Sequence, residues 1–571
     1  MSFLKGGRGT GAPELGGELA KGIKGLPMTE HSEPTSAWSP FSHPVFRDLW
    51  LATVVSNVGT WMQSVGAAWL MTSLSPSPVL VALVQAATSL PMFILALPAG
   101  ALADIADRRR LLLVTQGWML AMAAVLGALT YLRATTPWVL LALTFLLGLG
   151  AAMNAPAWMA LVPELVPRRD LAKAIALNSA GFNLSRAVGP AAGGAIVAAA
   201  GPGATFLLNA VSFLGVLVVL YRWRREATPA ALPAERMVAA MLTGLRYVRH
   251  APDLRAVLWL AGIFMASSGA VWALLPLVAR YELGGGPGSY GILLGCLGAG
   301  AVLGAAVLSR VRTLVSGELL VAGATLLFAA MTVVLALVPN LAVLSAAMFL
   351  AGTAWLALVS SFNFAVQTAV PAWIRARVLA VYMVIFAGTL SLGSAVWGAV
   401  ANHQGLKATL LYSALGTALG LLGLVRYRLK IEEELDLTPS LHWPAPIVAA
   451  EPQPEVGPIL VMIEYRIDPK DGRHFAQAMR TLSLVRRRDG AIRWGLFEDL
   501  AEPGRYLETF IVETWVEHLR QHERLTVADR VVEDQVRAFH IGEVPPRVAH
   551  LIYAYGGKPR DRKRFLRKLR I

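Results

Sequence analysis

Gly100-Ala101-Leu102-Ala103-Asp104-Ile105-Ala106-Asp107-Arg108-Arg109-Arg110 closes one long apolar run, 78–103, and opens the next, 111–132. Both runs reach the roughly 20 residues with which a helix crosses a bilayer. A glycine, two acids and three adjacent arginines between them read as a short loop held on one side of a membrane. Outward from this stretch the same kind of block recurs: 49–71 before it, and 137–161, 172–199, 204–222, 256–279, 288–309, 318–338, 340–367, 377–401 and 407–427 after it. Twelve apolar blocks predict an all-α membrane protein of twelve transmembrane helices.

Composition agrees. Of the 571 residues, 56% are hydrophobic and 15% charged, against about 25% charged in soluble domains, and the mean hydropathy is +0.55. Formal net charge is +15. The basic residues are scattered through short links and the two ends instead of lining one stripe, which argues against a nucleic-acid partner. The single cysteine, Cys296, lies in an apolar block beside Gly295 and Gly298, so no disulfide and no cysteine-based metal cluster is expected.

The links alternate. Those after the second, fourth, sixth, eighth and tenth blocks carry Arg108, Arg109, Arg110, Arg168, Arg169, Lys173, Arg222, Arg224, Arg225, Arg246, Arg249, Arg310, Arg312, Arg375 and Arg377; among the others only Arg133, Arg280 and Lys407 are basic. The positive-inside rule places both termini in the cytoplasm of a multi-pass protein of the bacterial inner membrane. VPELVPRRDLA from Val162 and VPAWIRARVLA from Val370 suggest an internal duplication at an offset of 208, 370 − 162. The expected organisation is a disordered lead-in over 1–44, a six-helix bundle over 45–222, a cytosolic linker over 223–254 and a second six-helix bundle over 255–428. A Pro-rich linker over 429–457, a soluble domain over 458–545 and a basic tail over 546–571 follow. The order strand, helix, strand, strand, helix in the soluble domain predicts a small ferredoxin-like α+β fold.

The 100–110 stretch resembles the loop signature of the major facilitator superfamily (MFS): Gly100, Asp104 four residues on, then Arg108, Arg109 and Arg110. It departs from the pattern at Ile105, where a basic residue is common, and at Asp107, where glycine is. The resemblance implies that these five residues form a cytosolic gate between the two halves. Gly189-Pro190-Ala-Ala-Gly193-Gly194 is similar to the antiporter motif of drug-efflux members, although Ser185 and Ala176 stand where the full motif has glycines. FRDLWLATVVSNVGTWMQSVGAAWL, FLLNAVSFLG, GLRYVRHAPDLR and YGILLGCLGAGAVLG look like the transmembrane secretion effector branch, whose best known member exports enterobactin. The resemblance implies proton-coupled export of a siderophore, drug or metabolite; the alternatives are a facilitated uptake carrier, or a transporter fused to an oxygenase-like C-terminal enzyme domain.

Helix-embedded polar residues are the candidates for a central substrate cavity: Asn57, Gln63 and Ser64 in the first block, Gln85 in the second, Asn154, Asn183, Asn363 and Gln367. Each has interhelical hydrogen bonding as its competing role. Arg186 is the one strong charge well inside a block, so it either faces the cavity or pins two helices. Acids such as Asp48, Asp104, Glu164 and Asp170 all fall near block ends, so no proton-coupling carboxylate can be read. Trp61, Trp69, Trp272 and Trp355 are candidates for stacking on a planar substrate. The soluble domain resembles antibiotic-biosynthesis-monooxygenase modules and offers Trp494, Trp515, His518 and His522, but 459–540 contains no Asn. Two histidines without a third ligand do not make a metal site. No catalytic residue, metal or cofactor is expected, and the domain is read as regulatory or dimerising. The expected partners are the lipid bilayer, a small-molecule substrate and protons.

Overall fold

The protein is described by a computed structural model covering residues 36–105, 107–223, 237–423, 436–444, 446, 448, 450 and 452–553, without the side chains of 97, 101, 103–105 and 237–242. The first 35 residues, most of the 223–236 connection, 424–435 and the tail from 554 lie outside it.

Thirteen α-helices run from residue 44 to 419: α1 Pro44–Leu74, α2 Pro78–Ile105, α3 Arg108–Tyr131, α4 Pro137–Leu165, α5 Arg168–Ala200, α6 Pro202–Arg222, α7 Met237–His250, α8 Pro252–Leu277, α9 Pro287–Leu314, α10 Gly317–Leu337, α11 Leu341–Thr368, α12 Ala372–Gln404 and α13 Leu406–Leu419. Twelve match the apolar blocks. The extra one, α7, is the amphipathic stretch of the connection between halves. Many start on proline, whose missing N–H costs nothing at the first helical position. Nine helices among the described residues are long and apolar enough to cross a membrane. α1 and α5 are not among them because Asn57, Gln63 and Ser64 in the one and the charges of 168–173 and Arg186 in the other dilute them.

Matching helix caps recur in the two halves, at an offset that differs from the sequence expectation. α5 and α12 begin after Pro167 and Pro371, which have matching caps (φ −60, ψ 154 and φ −61, ψ 156), and end at Gly201 and Gly405, again matching (φ 79, ψ 168 and φ 81, ψ 167). Both pairs are 204 apart, not 208. The first copy holds Val-Pro twice, at 162–163 and 166–167; Pro163 sits inside α4, and only Pro167 occupies the cap. Between α1 and α8 the helix starts do differ by 208, 252 − 44.

α1–α6 and α8–α13 form two bundles. Basic links occupy one end, called here the basic end; short links with few charges occupy the other. The inter-half contacts named here gather toward the short-link end: Ser391 Oγ donates to the Ala86 carbonyl at 3.2 Å, and Gly398 of α12 lies against Ala82 and Pro78 of α2. Gly194 of α5 meets Gly291 of α9, where a Cβ would come within 2.9 Å of the opposing Cα.

After the second bundle a four-stranded antiparallel sheet, in the order β2-β3-β1-β4, is built from β1 Ile459–Arg466, β2 Arg493–Glu498, β3 Arg505–Val512 and β4 Arg547–Ile552. Helices α14 Gly472–Arg488, α15 Trp515–Arg524 and α16 Val527–Arg537 accompany it. Alternate residues of β1, Ile459, Val461, Ile463 and Tyr465, are buried in a core with Phe475, Met479, Leu482 and Phe510. Two boundaries move. β4 falls in the stretch read as a basic tail: 547–552 pairs antiparallel along β1, with Leu460 opposite Leu551. Residues 436–444, read as linker, belong to the module: Val527 N donates to the Thr438 carbonyl at 3.0 Å, Ser440 N to the Leu525 carbonyl at 2.8 Å, and the Trp443 indole N–H to Glu533 at 2.9 Å.

The module docks at the basic end of the second half. The Arg488 guanidinium lies 5.2 Å from the Tyr247 ring of α7, and that of Arg524 lies 4.5 Å from the Trp373 ring of α12. Tyr247 and Trp373 meet edge to face at 6.0 Å. α14 and α16 thus close over α7, leaving a cavity of about 350 Å3 bordered by His250, Asp253, Thr368 and Arg488.

Candidate functional site

The gate candidates act within the first half. Arg108 Nη1 donates to Glu164 at 2.5 Å and to the Ala160 carbonyl at 3.1 Å, tying α3 to α4. Arg109 reaches the last carbonyls of α6, Leu220 and Tyr221, at 2.8 and 2.7 Å, where the helix dipole favours a cation. Asp107 caps α3 by accepting from the Arg110 N–H at 2.8 Å. Its departure from the family pattern therefore has a local use. Arg110 is exposed, and the Asp104 side chain lies outside the described residues. A Cβ on Gly100 would meet no described atom within 4 Å.

The Gly189-Pro190-Ala-Ala-Gly193-Gly194 segment packs two ways at once. Gly189 and Gly193 admit Trp61 and the Met62 backbone of α1, their own half, whereas Gly194 admits α9 of the other. Pro190 lies inside α5, and its carbonyl would stand 2.7 Å from a Cβ on Gly291. The close approach of backbones is what small residues provide between membrane helices.

The cavity candidates divide. Gln63 is buried and accepts from Asn209 of α6 at 2.6 Å. Asn154 accepts from Thr115 and Gln116 of α3, both at 3.2 Å. These two are engaged between helices of the first half. Ser64 and Asn183 bond to carbonyls of their own helices, Thr60 and Ser179. Gln367 donates to Asn363 one turn away. Asn57 and Gln85 are half-buried.

Arg186 stands apart. It is 9% exposed, its Nε and Nη2 have no hydrogen-bond partner, and its guanidinium lies 5.7 Å from the ring of Trp272 on α8, across the junction between halves. A charge buried at this depth without an acidic partner costs at least about 2.5–3.5 kcal/mol. Trp272 in turn meets Trp355 of α11 edge to face at 5.1 Å, and Trp355 meets Phe264, Phe328 and Phe386. The indole N–H of Trp272 and the hydroxyl of Tyr382 are also buried without partners.

Sequence reasoning missed Arg280, noted only as an exception to the charge pattern. It follows α8 in a wide π-helical turn, Val278–Glu282. Its Nη1 donates to Thr72 Oγ1 at 3.0 Å and Ser73 Oγ at 2.8 Å at the end of α1, and its guanidinium lies 5.5 Å from the Trp69 ring. Lys407, another exception, pairs with Glu282 at 3.3 Å. A basic residue in a short link was the available signal; its partners, two hydroxyls in the other half, were not readable.

In the module, Arg486 lies between the Trp443 and Phe510 rings, 4.8 and 5.3 Å away, and pairs with Glu508 at 3.0 Å and Glu533 at 2.5 Å. Burial opposes the Glu533 carboxylate, but Arg486 and bonds from His442 and Trp443 outweigh it and hold its pKa well below the ordinary range. Trp494 donates to Glu508 at 2.9 Å. His518 and His522 do share a helical face, with Nε2 atoms 3.4 Å apart, and His550 lies beside His518. Burial pushes His518 down to about 3 and His522 to about 4. Trp515 packs on His518, its indole N–H unpartnered. Among the described residues no group of three His, Cys, Asp or Glu is placed to hold a metal.

Two bundles of like topology, joined at one end through small-residue contacts and a cross-half arginine, define a multi-pass membrane transporter of the major facilitator fold. A solved bacterial homologue of the human lysosomal transporter Spinster, in an inward-facing, occupied conformation, shares that fold at TM-score 0.53 and 15% identity, over 69% of this chain and 98% of its own. The chain belongs to the transmembrane secretion effector family, which it matches over residues 35–556, sheet module included. It is similar to the multidrug efflux pump Tap of Mycolicibacterium fortuitum, 29% identical over 402 residues, 68% of this chain and 96% of that protein. It is also similar to the enterobactin exporter EntS of Shigella boydii serotype 4 (strain Sb227), 27% identical over 271 residues, 46% of this chain and 63% of that one.

Proposed function

We propose that this chain exports a small organic molecule, a siderophore, drug or secondary metabolite, across the bacterial inner membrane by alternating access with proton antiport. The observation that carries the reading is the one-ended junction. Arg280, Ser391 and the Gly194–Gly291 contact join the halves toward the short-link end, while the loop arginines stay within the first half. Taking the charge alternation as setting both termini in the cytoplasm, this is an inward-open state. Closure would bring the 100–110 loop onto the second half as a cytosolic gate. The export direction is supported by relatives described as efflux pump and exporter, and proton coupling by the glycine-proline motif of α5.

Everted membrane vesicles carrying the full chain, energised with lactate, should accumulate at least one of two fluorescent probes, carboxyfluorescein and ethidium. Nigericin, which collapses the pH gradient, should abolish accumulation. Accumulation indifferent to nigericin removes antiport; probe movement down its gradient in both directions favours the uptake carrier.

The module is best read as ferredoxin-like in topology and non-catalytic, resembling monooxygenase modules in shape alone. Its buried ion pairs are consumed internally: Arg486, Glu508 and Glu533 satisfy one another with Trp443, Trp494 and His442. The sheet face away from its helices carries Phe497 and Leu551, exposed at 60% and 45%, together with Leu460 and Ile511 on their paired strands. A second copy of the module fits that face. Light scattering of the purified full chain should give a dimer that Phe497→Glu converts to a monomer.

A further inference from the structure

Three arginines are buried among the described residues: Arg186, Arg486 and Arg524. Arg486 pairs with Glu508 and Glu533, and Arg524 with Glu517 at 2.5 Å. Arg186 has no such partner. The nearest acid on its own helix is Asp170, about 24 Å away at 1.5 Å per residue, and Asp170 is already held by Ser39 Oγ at 2.6 Å. No other membrane-helix acid lies far from a helix end. Among the described residues no carboxylate is paired with Arg186.

The groups around it say what kind of ligand would suit it. Trp272 presents an indole N–H with no acceptor, and its ring meets Trp355 edge to face at 5.1 Å. Buried donors short of acceptors, set on flat apolar rings, match a ligand with anionic oxygens on a planar body. Carboxylates suit a guanidinium fork. Arg186 belongs to the first half and Trp272 to the second, so one ligand would touch both.

We propose that Arg186 and Trp272 form an anion subsite in the transport pathway, and that the cargo is a planar organic anion, an aromatic carboxylate or a phenolate of similar shape. This rests on the reading of the chain as a transporter. Arg186 binds the charged oxygens, and Trp272 stacks beside them and donates its N–H. A bound anion relieves the desolvated guanidinium and ties the halves together. An empty site leaves that charge uncompensated.

Salicylate and its neutral counterpart salicylamide separate charge from ring. Calorimetry on the purified full chain should show salicylate binding at least tenfold tighter than salicylamide. Arg186→Gln should weaken salicylate at least tenfold, Arg186→Lys by much less, and Trp272→Phe severalfold. Because Arg186→Gln removes an uncompensated charge, the ligand-free variant should melt no lower than wild type, which separates lost binding from lost folding. Equal binding of the two probes, or salicylate binding untouched by Arg186→Gln, overturns the proposal. Ethidium accumulation in vesicles alongside no salicylate binding also overturns it and leaves the transporter intact. Failure of the wild type to move any probe takes down both.

Discussion

Arg280→Ala should unlatch the short-link end. In the structure Arg280 donates two hydrogen bonds, to Thr72 and Ser73, and lies over Trp69. Hydrogen bonds involving a charged group contribute about 1.5–3 kcal/mol each, and a partly exposed cation–π contact about 0.5–1 kcal/mol. Half-burial and solvent screening reduce the sum to a net of about 2 kcal/mol. All three partners lie in the first half, so this stabilisation exists only while the short-link end is closed. Removing it lowers the closed-to-open ratio roughly 30-fold. Spin labels at Ala134→Cys and Pro339→Cys, on a Cys296→Ser background, report the opening, because these exposed residues lie in short links of opposite halves. Electron–electron distance measurements on the full chain should show a longer population in Arg280→Ala that is small in the parent. An unchanged distance distribution would refute the argument, since the arginine would then be bonded equally in both states.

Gly298→Val should also loosen this end, because a Cβ there would collide with the Arg186 carbonyl; overpacking of about 1–3 kcal/mol should appear as the same long-distance population. Glu533→Gln strips Arg486 of one of its two carboxylates and should destabilise the module by about 3 kcal/mol, read as faster hydrogen exchange in α14 and α16 with little change in α1–α6. Lowering the pH should weaken the module as well. The unfolded chain takes up a proton near pH 6.5 that native His518, pushed down to about 3, refuses. Stability is therefore full above about pH 6.5 and falls by about 2 kcal/mol for His518 between pH 7 and 5. His522 adds less because it is partly exposed; hydrogen exchange in α15 at the two pH values checks the sign. Trp373→Ala, which removes the ring beneath Arg524, should increase exchange in α7 while leaving the sheet protected.

The helices were readable because a bilayer imposes long apolar runs, and a run of 20 residues leaves little choice of structure. Register was not, since Val-Pro occurs twice before α5 and only cap geometry separates Pro163 from Pro167. Polar residues inside helices were equally ambiguous. Gln63 and Asn154 look like cavity residues in the sequence, yet they bond to Asn209 and to Thr115 and Gln116 within the first half. A string of letters does not say which face of a helix a side chain occupies relative to its neighbours. Arg186 was legible because any charge in apolar surroundings demands an explanation. Arg280 was hidden because hydroxyls in a distant segment leave no charge pattern. The docking of the module was hidden for a related reason: arginines lie over aromatic rings, Arg488 on Tyr247 and Arg524 on Trp373, and such contacts leave no pattern of opposite charges in the sequence.

That docking has a mechanical side. Its contacts run to α7 and to the second bundle, so under the proposed alternating access the module would travel with that bundle. When two bodies pivot about a point inside the bilayer, a mass hung beyond the surface sweeps a wider arc than any residue near the pivot. The module is thus a long arm on one side of a hinge. A cytosolic protein that grips it, or a second copy pressed against its open sheet, applies torque with greater leverage than one touching the membrane helices themselves.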